Sequence, residues 1–335
     1  MTMYQTVTLS LVVVTLFYYG WCGIRLSKKI SRASDYLLIA RHLSRADYTQ
    51  TFVATSTSLA TALSFFIMFG AKFGLALIIS PIMFSLGVVV FKMVTPFMQA
   101  DGFFENGTTL HQYLKFKFQD ETVKNLATIV SVLGYLGIFI IELYVGVKIF
   151  TIFNQQIGWQ VMIASFLLIL IFTYIYLGGY PAVIKTDNFQ LKLIVSSIFL
   201  LLIVLLYAIN HDELWDKVLT KQYLNPLPLS LPWYFVVVMI VGNVPFQLLK
   251  MSNWHRAAAA GKLKKTQEAL TRGWQFTFII WLVATLCGIF GGVLADKYGI
   301  KEFNLNALFL MLSSYLHSGL FSKFFVQYIV LLIPT

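Results

Sequence analysis

Long apolar runs recur through this chain, and they limit its fold more than any other feature. They fall near 5–24, 48–70, 75–99, 125–154, 160–178, 188–209, 232–249, 274–294 and 308–333. A helix needs roughly 20 mostly apolar residues to cross a bilayer, and these runs have that length. Only 12% of the 335 residues are charged and mean hydropathy is +0.77, whereas a soluble domain carries about 25% charged residues. The expected class is therefore an all-α polytopic membrane protein. The first run is not a signal peptide. Residues 1–10 carry no Lys or Arg, and Arg25, Lys28, Lys29 and Arg32 follow the core instead of preceding it. This is the reverse of a signal peptide's charge order, so the run is read as a retained anchor with its N-terminus outside.

The net charge of +11 has a topological reading. With the N-terminus outside, alternate loops place Arg25, Lys28, Lys29, Arg32, Arg41 and Arg45 inside. Lys115, Lys117, Lys124 and Lys185 join them, as do Lys250, Arg256, Lys262, Lys264, Lys265 and Arg272. Lys72, Lys148, Lys217, Lys221, Lys297 and Lys301 fall outside, and every arginine lies inside. That asymmetry follows the positive-inside rule and predicts a multi-pass protein of the plasma (cell inner) membrane. No basic-aromatic motif for nucleic acid is present. Cys22 and Cys287 both fall in predicted spans without metal-ligand spacing. Asn106-Gly-Thr matches a glycosylation pattern but falls on the inner side.

Two spans are unusual. The one from 48 to 70 opens with TQTFVATSTSLATALS and ends in FFIMFG. Its small and hydroxyl residues allow close helix approach or bridge to unwound backbone. The span WYFVVVMIVGNVPFQLL holds Gly242, Asn243 and Pro245 in its lower half. Proline removes a backbone donor, so a kink or unwinding is expected there. Interrupted helices in matching positions of two halves point to a transporter's binding site. The two spans lie five apart, the spacing of the first helices of two five-helix repeats, although no direct sequence repeat links the halves. Glu142 is the one acid deep in a span, either a ligand facing the bundle interior or a structural partner for Lys148 or a hydroxyl. Lys92 and Lys192 can snorkel to an interface. Between two further spans, TYIYLGGYPAVIKTDNFQ is expected to form a short polar hairpin joining antiparallel helices, turning at Gly178-Gly179. Asp187 at its edge needs a cation, a Lys or water as partner.

The hairpin also resembles a signature of the sodium:solute symporters, carriers of the sugar, proline and pantothenate type. Gly178, Gly179, Ala182, Val183, Thr186, Asp187 and Gln190 match its pattern. NWHRAAAAGKLKKTQEAL is similar to the family loop after the sixth core helix, with Arg256 kept and His255 replacing a Gln. SDYLLIARHLS resembles the segment before the first core helix, and TTLHQYLKFKF the one before the third. The four matches fall in order.

The resemblance implies the LeuT-type fold: an extra N-terminal helix (5–24), a complete first five-helix repeat (48–209) and a partial second repeat (232–335), in one transmembrane transporter domain spanning 1–335. It implies Na⁺-coupled uptake of a small organic solute by alternating access, with no cofactor beyond Na⁺ as coupling ion. The expected partners are solute, Na⁺ and membrane lipid, with no nucleic acid. Thr55 and Ser58 would offer first-helix carbonyls to the cation, and Asp187 would belong to its inner pathway. Thr61, Ala62, Asn243, Phe246 and Gln247 would line the solute cavity, with Glu142 as a further candidate. No Arg or Lys is expected at that cavity. Thr57 stands where proline-type members carry an Asp. The sequence stops within the stretch matching the eighth core helix, before that helix's paired Ser/Thr ligands, so the expectation is a C-terminally truncated symporter. It reads as a fragment or interrupted frame; part of a full protein, or a naturally short relative, are the alternatives. The alternative functions are a symporter-like sensory or interaction module and a non-functional fragment. An enzyme is not expected, because the chain lacks a nucleophile–base pair, metal spacing and a phosphate loop.

Overall fold

A computed structural model of the chain describes residues 3–28, 30–58, 60–150, 156–225, 232–300, 303 and 308. The expected span at 308–333 lies outside the described residues apart from Leu308. No strand occurs among the described residues. The long helices are α1 (Met3–Ser27), α2 (Arg45–Ser56), the π-helical α3 (Ala60–Ile67) continuing as α4 (Met68–Phe73), and α5 (Ile79–Ala100). After the short α6 (Leu110–Phe118) come α7 (Glu121–Phe150), α8 (Ile157–His211), α9 (Trp233–Leu249), α10 (Met251–Ala260) and α11 (Leu263–Lys297).

The ends of these helices follow from local chemistry. Ser44 caps α2 by accepting from the Asp47 amide at 3.0 Å, and Thr109 caps α6 by accepting from Gln112 at 3.3 Å. Just beyond α5, Lys117 and Tyr113 hydrogen-bond Asp101 and hold its carboxyl below the usual carboxylate range.

The hairpin expected at 173–190 is tighter than its sequence suggested. The residues after the turn are helical, and Gly179, at φ 56 and ψ −154, is the one residue of α8 outside helical geometry. Lys185, Thr186, Asp187 and Gln190 thus sit in a helix, not in a polar loop. Pro181 falls in the first turn of the second half, where a missing amide donor is no loss. At about 1.5 Å per residue, an unbroken helix of this length would far exceed a bilayer, so the two halves are separate passes.

Close packing rests on glycines. A Cβ on Gly288 would come within 2.3 Å of the Ile67 carbonyl, and one on Gly70 within 2.7 Å of the Thr285 carbonyl. Here α11 lies backbone to backbone against α3 and α4, as small residues permit between membrane helices. In the same way a Cβ on Gly178 would meet Gly23 at 2.9 Å, where α1 crosses α8. The most apolar stretch of α11 is 78% buried, which makes α11 the central helix among the described residues.

The four stretches that carried the family resemblance meet at one end of the bundle. Arg41 donates to the carbonyls of Phe104, Gly107 and Ala258. Tyr36 donates to Ile175 and Tyr176. The rings of Tyr180 and His255 stack at 4.4 Å, and those of Tyr113 and Trp254 lie 5.1 Å apart.

These contacts give a test. Gly179→Ala combines a strained positive φ with a Cβ 2.6 Å from the Tyr36 ring, and Gly288→Ala drives a Cβ into backbone. Each should lower stability by about 1–3 kcal/mol, the usual cost of overpacking. Gly134→Ala, with nothing within 4 Å, should leave it unchanged or slightly raised. Thermal unfolding in detergent reads all three.

Candidate functional site

The 48–70 span breaks in the middle of its hydroxyl-rich half. Thr57, at φ −118 and ψ 40, closes α2, and α3 begins at Ala60. A break at membrane depth strands carbonyls that must find other donors. The indole of Trp281, on α11, donates to the Ser56 carbonyl at 3.1 Å. On the far side of the break, Ser58 accepts from the amides of Thr61 and Ala62, through its hydroxyl at 3.3 Å and its carbonyl at 2.8 Å.

The second interrupted span breaks one turn later than expected. Helix α9 runs unbroken through Gly242, Asn243 and Pro245, and the chain leaves helical geometry at Lys250 (φ −65, ψ 102). The reason is where the substitute donors lie. Asn253 donates to the Gln247 carbonyl at 2.9 Å and Trp254 to the Leu248 carbonyl at 2.6 Å, so α10's own side chains cap the end of α9. Pro245 removes one bond from the ladder without ending it, and the Asn243 amide donates back to the Met239 carbonyl at 2.8 Å.

A buried polar cluster ties these elements together. Asp187 is 7% exposed and accepts from the Thr51 hydroxyl. Arg256 is 2% exposed and donates to the Thr51 carbonyl at 3.1 Å and the Thr55 hydroxyl at 2.6 Å. Its Nε and Nη1 have no hydrogen-bond partner among the described residues. Thus α2, the second half of α8 and α10 are joined through one threonine turn.

Both breaks open on one cavity of about 500 Å³. Of the residues singled out in the sequence, Thr55, Ser58, Thr61, Glu142, Asn243, Phe246 and Gln247 line it. Ala62 is buried behind the wall, and Asp187 belongs to the Thr51 cluster instead. Glu142 accepts from Ser58, whose hydroxyl lies 3.0 Å from that of Thr61. This gives an all-oxygen group at the first break. Phe66, Phe84 and Trp281 form an aromatic floor, with Trp281 4.5 Å from Phe66 and 4.6 Å from Phe84 between centroids. No group of three His, Cys, Asp or Glu that could hold a metal occurs among the described residues.

Several site residues escaped the sequence reading. Lys250 was placed among the solvated basic residues and no base was expected at the cavity, yet Lys250 is 9% exposed and lines it. Tyr135, Ser252 and Trp281 line it too. The signal available for Lys250 was its place directly after an apolar span that contains a proline.

The cluster generates a double-mutant test. Arg256→Leu should destabilise the chain by about 2–5 kcal/mol, the cost of removing a buried hydrogen-bonded charge. Combined with Asp187→Asn, the loss should fall short of the sum of the single losses by about 1 kcal/mol or more, because both act through Thr51. Thermal unfolding of the four proteins measures the difference.

The profile described as the sodium:solute symporter family matches residues 37–226. Over 203 residues the chain is 29% identical to the sodium-coupled monocarboxylate transporter 2 of Mus musculus; the match takes in 58% of this chain and 30% of that protein. The chain thus spans about a third of that curated relative's length. Its fold matches a substrate-bound, outward-open Na⁺-coupled sialic acid symporter with a TM-score of 0.81 and 17% identity, covering 98% of this chain and 70% of the other. The fold is accordingly LeuT-type. With more than half its length matched by the family profile, this multi-pass membrane chain belongs to the sodium:solute symporter family, a family of carriers and not of enzymes.

Proposed function

We propose that this chain provides the core of a secondary active transporter that couples Na⁺ entry to uptake of a small organic solute by alternating access. One observation carries the reading: two helices broken at membrane depth open on a single cavity, one of them beside an oxygen-only cluster. Na⁺ is a hard cation that prefers oxygen ligands, and the Ser58–Thr61–Glu142 group supplies them. Thr55 contributes from the end of α2, and Asp187 supplies negative charge on the inner path through Thr51. The solute contacts Thr61, Glu142, Asn243, Phe246 and Gln247, while Ala62 supports the wall from behind. Both relatives are named as sodium-coupled.

The 335 residues form one transmembrane transporter domain in the plasma membrane, surrounded by lipid. The N-terminus is outside, consistent with the basic residues following the first and alternate later spans.

The test is Na⁺ dependence. In detergent, NaCl should raise the melting temperature where KCl and choline chloride do not. In proteoliposomes, solute uptake should require an inward Na⁺ gradient. Ser58→Ala and Asp187→Asn should each weaken the apparent Na⁺ affinity at least about tenfold, which corresponds to roughly 1.4 kcal/mol. Uptake indifferent to Na⁺ removal would overturn the coupling.

A further inference from the structure

The second break carries a feature the transport reading does not use: its end of the cavity is built from donors. Lys250 lies on the wall, 9% exposed, with no hydrogen-bond or ion-pair partner among the described residues. The hydroxyl of Tyr135 accepts from the Met251 amide at 2.6 Å, which leaves its own proton to donate. The Ser252 hydroxyl is buried without a partner among the described residues and lines the same wall. These groups surround the start of α10, whose first amides add the positive end of a helix dipole.

The neighbouring charges offset this end only in part, because the one buried acid that acts on Lys250, Asp187, also acts on Arg256. Asp187 accepts from Thr51, and Lys250 has no acid within ion-pair distance among the described residues. Arg256, on the following helix, adds a second buried positive charge with two unsatisfied N–H groups. Glu142 lies at the other break, engaged by Ser58. An ammonium buried at membrane depth is expensive unless it meets an anion, and a wall of donors is satisfied only by a ligand of acceptors.

Resting on the proposed transport function, we infer that the solute carries a carboxylate, and that this carboxylate pairs with the Lys250 ammonium and accepts from Tyr135 and Ser252. Lys250 is then the residue that selects acids over their neutral analogues. The opposite face of the cavity, with Phe66, Phe84 and Trp281, takes the remainder of the solute.

The experiment sets acids against their amides. The full chain, purified and also reconstituted in liposomes, is offered acetate, propionate, lactate, pyruvate, benzoate and alanine beside the corresponding amides, with glucose as a neutral polyol, in Na⁺ and in K⁺. At least one acid should raise the melting temperature saturably in Na⁺, and its amide should need at least tenfold higher concentration. Lys250→Gln should abolish that preference, and Lys250→Arg should retain part of it. Amides or glucose binding as well as the acids would overturn the carboxylate assignment without any variant. So would Na⁺ stabilisation with no response to any acid, which leaves the transport reading standing. A less stable Lys250→Gln protein that keeps the acid preference would also overturn it, and would make Lys250 a counter-charge for Asp187. Indifference to Na⁺ and to every solute would overturn the transport reading itself, and the carboxylate with it.

Discussion

Carbonyl oxygens with no helical partner are the constraint around which this molecule is built. In water a broken helix recovers its hydrogen bonds from solvent, but in the membrane interior it recovers them from other parts of the chain. Each of the two breaks takes a tryptophan indole for this purpose, Trp281 on the Ser56 carbonyl and Trp254 on the Leu248 carbonyl. An indole suits the task because it donates once and accepts nothing, so its remaining surface stays apolar. The same residues then serve as packing. Trp281 packs at a tilt against Phe66 and Phe84, and Trp254 packs at a tilt against Tyr113 and edge-on against Phe91 and Phe103. The breaks and the aromatic core are thus one construction.

Much of this was legible in the residues. Among the described residues the apolar runs fall on helices, and the hydroxyl-rich half of one span together with the Pro-containing other marked the two interrupted spans. Residues likened to the family's signature turned out to touch one another, which is why four short stretches scattered along the sequence read so clearly together. Arg41 reaching Phe104, Gly107 and Ala258 is a contact no single stretch could announce.

What was misread had a common cause. Helix propensity and proline placed the second break at Gly242–Pro245, whereas the donors that permit it come from Asn253 and Trp254, six residues after the carbonyls they cap. A local rule could not see them. Lys250 was placed among the inner loop bases, as a lysine after an apolar run usually is; its burial on the wall it shares with Tyr135 is tertiary information. The Gly178-Gly179 turn was identified, but its polar neighbours were taken for a loop. They are helical because one glycine in a positive φ suffices to change the chain's direction.

The glycine contact between α11 and the second half of the first broken span, α3 and α4, also sets a mechanical constraint. Backbones that meet at Gly288 and Ile67 with no side chain between them cannot slide past each other without opening a void. On the other side of the breaks, Arg256 fastens α10 to α2 through Thr51 and Thr55. Beside these two fastenings the backbone leaves helical geometry, at Thr57 and at Lys250. Ser58 and Lys250, at these breaks, stand on the cavity wall, so any change of backbone angle there would alter its shape directly, with no long lever arm in between.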